Sequence, residues 1–339
     1  MTAPLMMDDS RVTELVREAT AAPSMHNAQP WRFRYARGRR TFRLYADFDR
    51  KMAHTDPEAR ALHMGCGAAL FNLRVALAHA GAHAEVTLLP EADEPALLAT
   101  VRATGAGVED AGLAALRPAI ARRHTSRYPF AKTDIPEPVR VALIDAAFRE
   151  GAVLSFPDPW HLDWVRELSE EAENRNLTDS GSAADLARWT RRGPTGARTA
   201  AGEAPGYAAD GVPEYAFGPR KDGGGAPLRD FSGGKPTAGV PTTSFEDDPR
   251  LALLATEGDR APYWIRAGQA MERVLLLATS KGLSASFATQ ALEWPDLRWP
   301  LRDPGSGAGE VQMILRLGYG PECPATPRRP VRDVLEFES

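Results

Sequence analysis

The sequence has 339 residues, of which 43% are hydrophobic and 25% are charged, and its formal net charge is −4. This length allows two domains or one large one, and the apolar fraction is enough for a substantial core. The slightly acidic balance and the scattered basic residues argue against nucleic-acid binding, and no run reaches the ~18 apolar residues of a membrane-spanning helix.

Cysteine and histidine usage argues against disulfides and metal sites. Cys66 and Cys323 are too few for a disulfide framework and match no metal-ligand spacing, and the seven histidines do not cluster with them in the pattern of a metal site. The chain does not open with a charged region followed by an apolar one, so no signal peptide is visible. We therefore expect a reduced, cytoplasmic protein without a metal site.

Hydrophobic periodicity predicts the elements of the first third of the chain. In order, they are a helix over 11–21, a β-hairpin with strands over 31–35 and 41–45, a long apolar helix over 62–80, and strands over 85–89 and 99–102. The hairpin alternates apolar and basic residues, which indicates one buried face. The long helix contains a run of small residues over 65–70, so we expect it to be central and buried.

The same periodicities continue through the rest of the chain, with one interruption. They predict helices over 113–123, 139–150, 162–176 and 263–281, strands over 153–156, 250–256 and 310–318, and a short helix or turn over 294–301. Between about 191 and 248 the composition shifts to Gly, Pro, Ala and Asp, but five aromatic residues remain: Tyr207, Tyr215, Phe217, Phe231 and Phe245. Linkers rarely keep so many aromatics, so we interpret this stretch as an ordered lid with mobile parts. The alternative is a disordered insertion.

The segment 23–31, PSMHNAQPW, is dense in short hydrogen-bonding side chains. Pro23 and Pro30 remove two backbone donors and fix φ near about −65°, which makes the loop rigid. Ser24, Asn27 and Gln29 then offer donors and acceptors from a stiff backbone, and this suits a flat heteroaromatic ligand with polar edges. The alternative is a well-capped turn that carries a core tryptophan.

Two helices of the chain look alike. The segment 67–81, GAALFNLRVALAHAG, and the segment 268–282, GQAMERVLLLATSKG, both run from glycine to glycine and lie 201 residues apart. Pro30-Trp31 and Pro159-Trp160 form a second pair at a shift of 129, and the difference of 72 residues is about the size of the Gly/Pro-rich stretch. The pattern predicts two copies of one α+β unit that pack together as an obligate dimer does, with the lid inserted in the second. The alternative is coincidence between two alanine-rich buried helices.

Two arginine clusters have the chemistry that a flavin phosphate needs. A phosphate dianion needs several donors with positive charge, and arginine forks supply them best. The segment 122–127, RRHTSR, carries three arginines and two hydroxyls, and Arg328-Arg329 adds a pair near the end of the chain. For either cluster alone, the alternative is a solvated basic turn.

Together these residues resemble the nitroreductase family of FMN-dependent oxidoreductases. The segment 23–31 resembles the family loop that reaches the flavin from the partner subunit in homodimers. The segment 123–127 resembles the phosphate-binding element, with Thr125 in place of serine, and Arg328-Arg329 resembles the C-terminal phosphate contact. The segments 282–283 and 286–290 resemble the border of the flavin ring, although 287–290 lacks the Glu-Gly of the classical members.

The duplicated arrangement resembles the Acg-type, actinobacterial branch, in which one chain mimics the family homodimer. The resemblance implies an α+β, nitroreductase-like fold, duplicated internally, with halves at 1–112 and 113–339 and a lid at about 177–248. Only the first half keeps the Ser/Asn/Gln loop, whose predicted counterpart is 153–160, and only the second keeps the arginine clusters. We therefore expect one complete flavin site across the interface of the halves, and a monomer, because the dimer interface is intramolecular.

The cofactor that the resemblance implies is FMN, with no catalytic side chain required because the cofactor carries the chemistry. The predicted cofactor-binding residues are Ser24, His26, Asn27, Gln29, Arg123, His124, Thr125, Arg127, Ser286, Thr289, Gln290, Arg328 and Arg329. The implied activity is ping-pong hydride transfer from NAD(P)H to a nitroaromatic or quinone, or oxidation of a specific small molecule. The alternative function is sequestration of FMN under a closed lid with little turnover.

Overall fold

The computed structural model describes residues 7–105, 112–193, 208–233, 241–303 and 309–338. Its helices are α1 (Asp9–Ala19), α2 (Arg60–His79), α3 (Arg117–Arg122), α4 (Glu137–Phe148), α5 (Pro159–Thr178), α6 (Ser180–Trp189), α7 (Ala261–Ser280) and α8 (Pro295–Arg298). Residues 194–207 and 234–240 of the predicted lid, with Tyr207, lie outside the described residues.

Two sheets hold most of the strands. Their strands, with four short ones in between, are β1 (Trp31–Ala36), β2 (Thr41–Ala46), β3 (His83–Leu88), β4 (Leu97–Thr104), β5 (Val153–Ser155), β6 (Thr190–Arg191), β7 (Val212–Pro213), β8 (Arg220–Lys221), β9 (Thr242–Thr243), β10 (Leu251–Thr256), β11 (Ser284–Phe287), β12 (Glu310–Gly318) and β13 (Leu335–Glu338). The predicted hairpin forms as β1 and β2 with one face buried. The predicted helix over 113–123 is a 3₁₀ turn at Ala114–Leu116 followed by α3, which begins at a proline-containing first turn.

The two sheets follow one plan. The first has the order β13-β1-β2-β4-β3 and the second has the order β11-β12-β10-β5. Without β13, the first order matches the second when β1, β2, β3 and β4 are equated with β5, β10, β11 and β12, and all these pairs are antiparallel. Both β2 and β10 have six residues, and each shifts register against its neighbour after the fourth residue, at Leu44 and at Leu254. The chain is therefore internally duplicated.

The helices α2 and α7 form the contact between the halves. Each has twenty residues, and their bounds differ by the 201 residues found in the sequence. A Cβ placed on Gly67 would lie 2.2 Å from the carbonyl oxygen of Ile265, and one placed on Gly268 would lie 2.1 Å from that of Met64. The same shift relates Gly67 to Gly268 and Met64 to Ile265, so the contact is reciprocal, as in an isologous dimer interface. Glycine is required on both sides because the backbones touch.

The helix α2 is the one described helix that is long and apolar enough to cross a membrane by length and composition alone. However, 89% of its most apolar window is buried inside the protein. A core helix has this property, and the packing of α2 against α7 accounts for it.

One predicted equivalence is wrong. Trp31 opens β1 and is fully buried, whereas Trp160 lies in the first turn of α5 and is 67% exposed. Because β5 is the counterpart of β1, the counterpart of the loop 23–30 is the four-residue connection 149–152, not 153–160. The inserted residues therefore lie between β5 and β10, where the first half has only a hairpin turn, and they include α5 and α6.

The end of the chain crosses to the other half. Strand β13 pairs in parallel with β1 at the edge of the first sheet, with Phe33 opposite Leu335. The backbone amide of Phe33 also donates to the carbonyl of Val334 at 2.7 Å. This crossing places residues 326–329 beside the loop 23–30, and the boundary at 112/113 stays a prediction.

Candidate functional site

A cavity of about 250 Å³ lies between the two halves. The first half contributes residues of the loop 23–26 and of the start of α2. The second half contributes residues of β11 and of the segments that flank it. Residues 217–221 and 228–232 of the inserted chain form another wall. We call the described residues 208–233 the insertion segment.

Six of the thirteen predicted site residues line this cavity. They are Ser24, His26, Thr125, Arg127, Ser286 and Thr289. The loop 23–31 and the arginine-rich segment 123–127, which lie about a hundred residues apart in sequence, thus meet at one cavity. The other seven predicted residues surround it without lining it, and their contacts are described below.

Arg127 is a partly buried cation that lines the cavity. Its guanidinium donates to the carbonyl of Ala216 at 2.8 Å and lies 4.6 Å from the ring centre of Phe231. No carboxylate of the described residues comes within ion-pair distance of it, and burial lowers its pKa to about 10. A charge that is partly removed from water and has no counter-ion favours binding of an anionic group.

His26 lines the cavity and has two ring nitrogens without a hydrogen-bond partner among the described residues. Its side chain is 7% exposed and its φ is 49°. Burial, and then the nearby charges of Arg229 and Arg127, hold the pKa of His26 well below its usual value. The ring is therefore neutral, with one donor and one acceptor available for a ligand.

The hydroxyl-bearing residues are held by local structure. The Ser24 side chain accepts a hydrogen bond from the backbone amide of Gln29 at 2.8 Å, which closes the loop. Ser286 lies on β11. Thr125 forms an isolated bridge to Ala285, which attaches the arginine-rich segment to the same strand. Thr289 donates to Glu293 at 2.9 Å.

Asn27 and Gln29 bind protein backbone instead of lining the cavity. The Asn27 side-chain amide donates to the carbonyls of Gly211 and Pro327, both at 3.0 Å. The Gln29 amide donates to the carbonyl of Ala209 at 2.8 Å, and its oxygen accepts from the backbone of Arg329 at 2.8 Å. These side chains therefore join the loop to the insertion segment and to the end of the chain.

Arg123 and Arg328 contact the carbonyls at the C-terminal end of α1. Arg328 donates to the carbonyls of Thr20 and Ala21, both at 3.0 Å, and Arg123 donates to that of Ala21 at 3.2 Å. The last carbonyls of a helix lack intrahelical partners and carry partial negative charge, so they favour cations.

A buried carboxylate completes this cluster. Glu272, in the middle of α7, is fully buried, and one of its oxygens lies 3.6 Å from Nε of Arg123. Burial raises the pKa of Glu272 to about 7 against the opposing effect of Arg123. Burial, and then the charge of Arg123, lower the pKa of Arg328 to about 9.

Relatives of the chain decide its family. No protein-family model matches it. A Mycobacterium tuberculosis protein named "Putative NAD(P)H nitroreductase Rv3131" is 32% identical over 97% of this chain and 92% of its own length. Another, "Putative NAD(P)H nitroreductase acg", is 30% identical over 98% of this chain and 99% of its own length. The chain belongs to the nitroreductase family. It matches these relatives over nearly their whole length, as expected for the Acg-type branch.

Two solved nitroreductases match the chain at lower identity. A nitroreductase with bound FMN from Bacteroides fragilis is 16% identical, with a TM-score of 0.34 over 61% of this chain and 89% of that one. Another from Desulfitobacterium hafniense, also with bound FMN, is 15% identical, with a TM-score of 0.34 over 66% of this chain and 98% of that one.

The remaining predicted residues of this nitroreductase also lie outside the cavity lining. His124 is partly buried, and burial followed by the charge of Arg123 lowers its pKa. Gln290 is 1% exposed. Arg329 donates to the carbonyl of Gln29 at 3.3 Å and lies 3.8 Å from Asp47.

Sequence reasoning missed six of the seven charged residues that line the nitroreductase cavity, and two of these six form an ion pair. Arg229 of the insertion segment forms an ion pair with Glu293, and the two side chains are 7% and 3% exposed. Glu293 also accepts from Asn176 at 3.1 Å. Neither residue lies in a family-like motif. The buried Glu272 could have been suspected because a Glu-Arg pair interrupts an otherwise apolar helix.

Glu272 should make nitroreductase stability depend on pH. Because its folded pKa of about 7 exceeds the ordinary 4.5, the folded state holds a proton that the unfolded state has lost between these values. Stability therefore falls as pH rises from about 4.5 to about 7, by at most about 3 kcal/mol from this group. Glu272→Gln should flatten the profile in urea unfolding at pH 5, 6, 7 and 8.

The exposed Glu58→Gln is the matched control and should leave the profile unchanged. Asp56 has a pKa raised to about 6 by burial and contributes with the same sign, so some slope should remain in Glu272→Gln. An identical profile in Glu272→Gln and the native protein would contradict the assignment.

Proposed function

We propose that this protein is an FMN-dependent oxidoreductase that binds one FMN in the cavity between its halves. The observation that carries the proposal is Arg127, a partly buried guanidinium that lines the cavity and has no counter-ion among the described residues. Family membership adds support, because the residues that line the cavity match the family loop and the arginine-rich element.

The polar groups of the cavity fit the cofactor. Arg127 would hold an anionic part of FMN, and His26 would offer one donor and one acceptor to its polar edge. The hydroxyls of Thr125, Ser286 and Thr289 would add neutral hydrogen bonds. Bound FMN would supply acceptance and donation of hydride, which no side chain of the protein can supply.

The cavity is slightly smaller than the ~300–1,000 Å³ typical of small-molecule sites. We infer that part of the insertion segment shifts when the cofactor binds. Arg123 and Arg328 lie beside the cavity and could reach a phosphate only by giving up contacts with α1 and Glu272. We therefore propose the six lining residues as the cofactor contacts, and the other seven as supports of the loop.

The donor in this proposal is NAD(P)H and the acceptor is a flat organic molecule such as a nitroaromatic or a quinone. Both would use the same cavity in turn, which corresponds to ping-pong kinetics. Two relatives carry the name NAD(P)H nitroreductase, which supports a nicotinamide donor. Since the α2–α7 contact is made within one chain, we also propose a monomer, and a cytoplasmic location stays a prediction from the sequence.

The insertion segment would act as a lid. Phe217 and Phe231 stack with ring centres 5.9 Å apart, and Phe231 also meets His26 edge-on at 5.6 Å. Asp210 fixes one end of the segment by accepting from Arg50 at 2.9 Å and from Arg191 at 2.8 Å. Access to the cavity would then require the segment to move.

This closure favours a second candidate function, the sequestration of FMN with little turnover. The clamp at Asp210 joins residues far apart in sequence, and the hydrogen bonds of Asn27 and Gln29 reinforce it. A segment held at so many points would open slowly.

Anaerobic stopped-flow reduction by NADPH separates the two functions. We expect flavin in the native protein to be reduced by NADPH within about a second, as typical enzyme turnover rates require. Asp210→Asn should accelerate reduction severalfold, because it removes a charge-assisted clamp. The exposed Asp93→Asn should behave as the native protein does. Flavin reduced only in Asp210→Asn would support sequestration, and flavin reduced in neither would contradict a nicotinamide-dependent enzyme.

A further inference from the structure

The cavity lining carries more positive than negative charge. Among the described residues that line it, five are cationic and two are carboxylates. The cations are Arg60, Arg127, Arg220, Lys221 and Arg229, and the carboxylates are Asp230 and Glu293. One FMN brings a single phosphate, which does not account for all five cations.

Three of the five cations already have a partner or a role. Arg229 is paired with Glu293. Arg60 turns into the protein and donates to the carbonyl of Gln312. Arg127 is assigned to the cofactor by the proposed function. The two cations that remain, Arg220 and Lys221, are consecutive residues of β8.

Strand β8 holds these two residues at the cavity wall. It pairs in parallel with β9, and the amide of Arg220 donates to the carbonyl of Pro241 at 2.9 Å. The amide of Asp222 donates to the carbonyl of Thr243 at 2.9 Å on the other side of the pair. The backbone of both residues is thus held by hydrogen bonds at the cavity wall.

Neither residue has an anionic partner among the described residues. The Lys221 ammonium donates to the carbonyl of Ala226 at 2.9 Å, and burial lowers its pKa. Glu170 and Glu246 attract it from beyond ion-pair distance, and Glu246 is already engaged by Arg316. Arg220 is exposed at the wall and makes no side-chain hydrogen bond to the described residues.

We infer that the acceptor reduced in this cavity carries a carboxylate, and that Arg220 and Lys221 bind it. A guanidinium fork and an ammonium on the same cavity wall supply charge-assisted donors for the two oxygens of a carboxylate. Two adjacent cations of the same wall also draw anions into the cavity and disfavour neutral analogues. This inference rests on the proposed function, because it takes the cavity as the place where the acceptor binds.

The test compares an anionic probe with its neutral isostere. Binding of 4-nitrobenzoate and 4-nitrobenzamide to the FMN-loaded protein is measured by isothermal titration calorimetry. We expect the native protein to bind the carboxylate at least about tenfold more tightly, as one charge-assisted contact provides. Arg220→Ala/Lys221→Ala should lose most of that preference, and the single Arg220→Ala should lose part of it.

The matched control is Arg39→Ala/Lys132→Ala, which removes the same two charges from exposed positions outside the cavity lining. This control should keep the preference for 4-nitrobenzoate over 4-nitrobenzamide. A loss of that preference in the control would attribute the effect to net charge and overturn the inference. Circular dichroism of Arg220→Ala/Lys221→Ala verifies that this variant folds. If it does not fold, the preference measured in the single Arg220→Ala decides the test.

Three further results would also overturn the inference. They are equal binding of both probes by the native protein, an unchanged preference in the variants, and a loss confined to binding of NADPH relative to NADH. The last would assign the pair to the phosphate of the donor. Absence of bound FMN in the native protein, visible in its absorbance, would instead refute the proposed function, and this inference with it. The two failures are thus distinguishable.

Discussion

Replacing Arg127 by alanine should lower the affinity of the protein for FMN by about ten- to a hundredfold. Hydrogen bonds to charged groups contribute about 1.5–3 kcal/mol, and 1.4 kcal/mol corresponds to a factor of ten. The guanidinium has no anionic partner among the described residues, so its removal costs the protein little when FMN is absent. Titration of the flavin-free protein with FMN, followed by flavin fluorescence, measures the change.

The neighbouring Arg122 supplies a matched control. It is exposed and donates only weakly to the carbonyl of Pro118, at 3.4 Å. Arg122→Ala should therefore retain native affinity, and Arg127→Lys should fall between the two because it keeps the charge but loses the fork. Equal FMN affinity in Arg127→Ala and the native protein would remove Arg127 from the cofactor site.

Gly268→Ala should destabilise the protein by about 3 kcal/mol or more, or prevent folding. The added Cβ would lie 2.1 Å from the carbonyl oxygen of Met64, which is backbone and cannot move aside without separating α2 from α7. Gly67→Ala should have a similar effect, because its Cβ would lie 2.2 Å from the carbonyl oxygen of Ile265. Urea unfolding followed by circular dichroism measures both.

Gly38 is the control position, because a Cβ there has no atom within 4 Å. Gly38→Ala should be neutral or slightly stabilising, since alanine restricts the unfolded chain. Native stability in both Gly67→Ala and Gly268→Ala would contradict a close contact between the two helices. Loss in only one of them would contradict its reciprocal character.

The duplication explains why we expect a single site. The first half has the eleven-residue connection 20–30 between its first helix and first strand, whereas the second half has only the four-residue connection 149–152. In exchange, the second half carries the long insertion between β5 and β10, and the insertion segment contacts the loop of the first half. The halves have diverged so that each supplies what the other lacks.

Local patterns predicted most of the long helices and strands of this chain, because periodicity and glycine caps act over a few residues, but they did not predict α6, β11 or β13. The 201-residue shift between two glycine-bounded segments led directly to α2 and α7. The Pro-Trp pair failed because proline is favourable both before a strand and in the first turn of a helix. Asp158, whose side chain accepts from the His161 amide at 2.8 Å, is the helix-capping signal that distinguishes Trp160 from Trp31.

The predicted site residues divide for a physical reason. Asn27 and Gln29 carry the right polar groups, but their partners are backbone carbonyls about 180 to 300 residues away, which no local pattern reveals. Arg123 forms an ion pair with Glu272, which lies in the core helix α7 about 150 residues further along the chain. A motif identifies groups capable of binding a ligand, and the tertiary partners decide which of them remain available for it.

The stoichiometry of FMN binding tests the central proposal most directly. Flavin-free protein of known concentration is titrated with FMN in a calorimeter, and the absorbance of the purified complex verifies the ratio. We expect one FMN per chain, bound in the cavity between the halves and weakened by Arg127→Ala. Two FMN per chain, or none, would contradict a single site built jointly by the two copies.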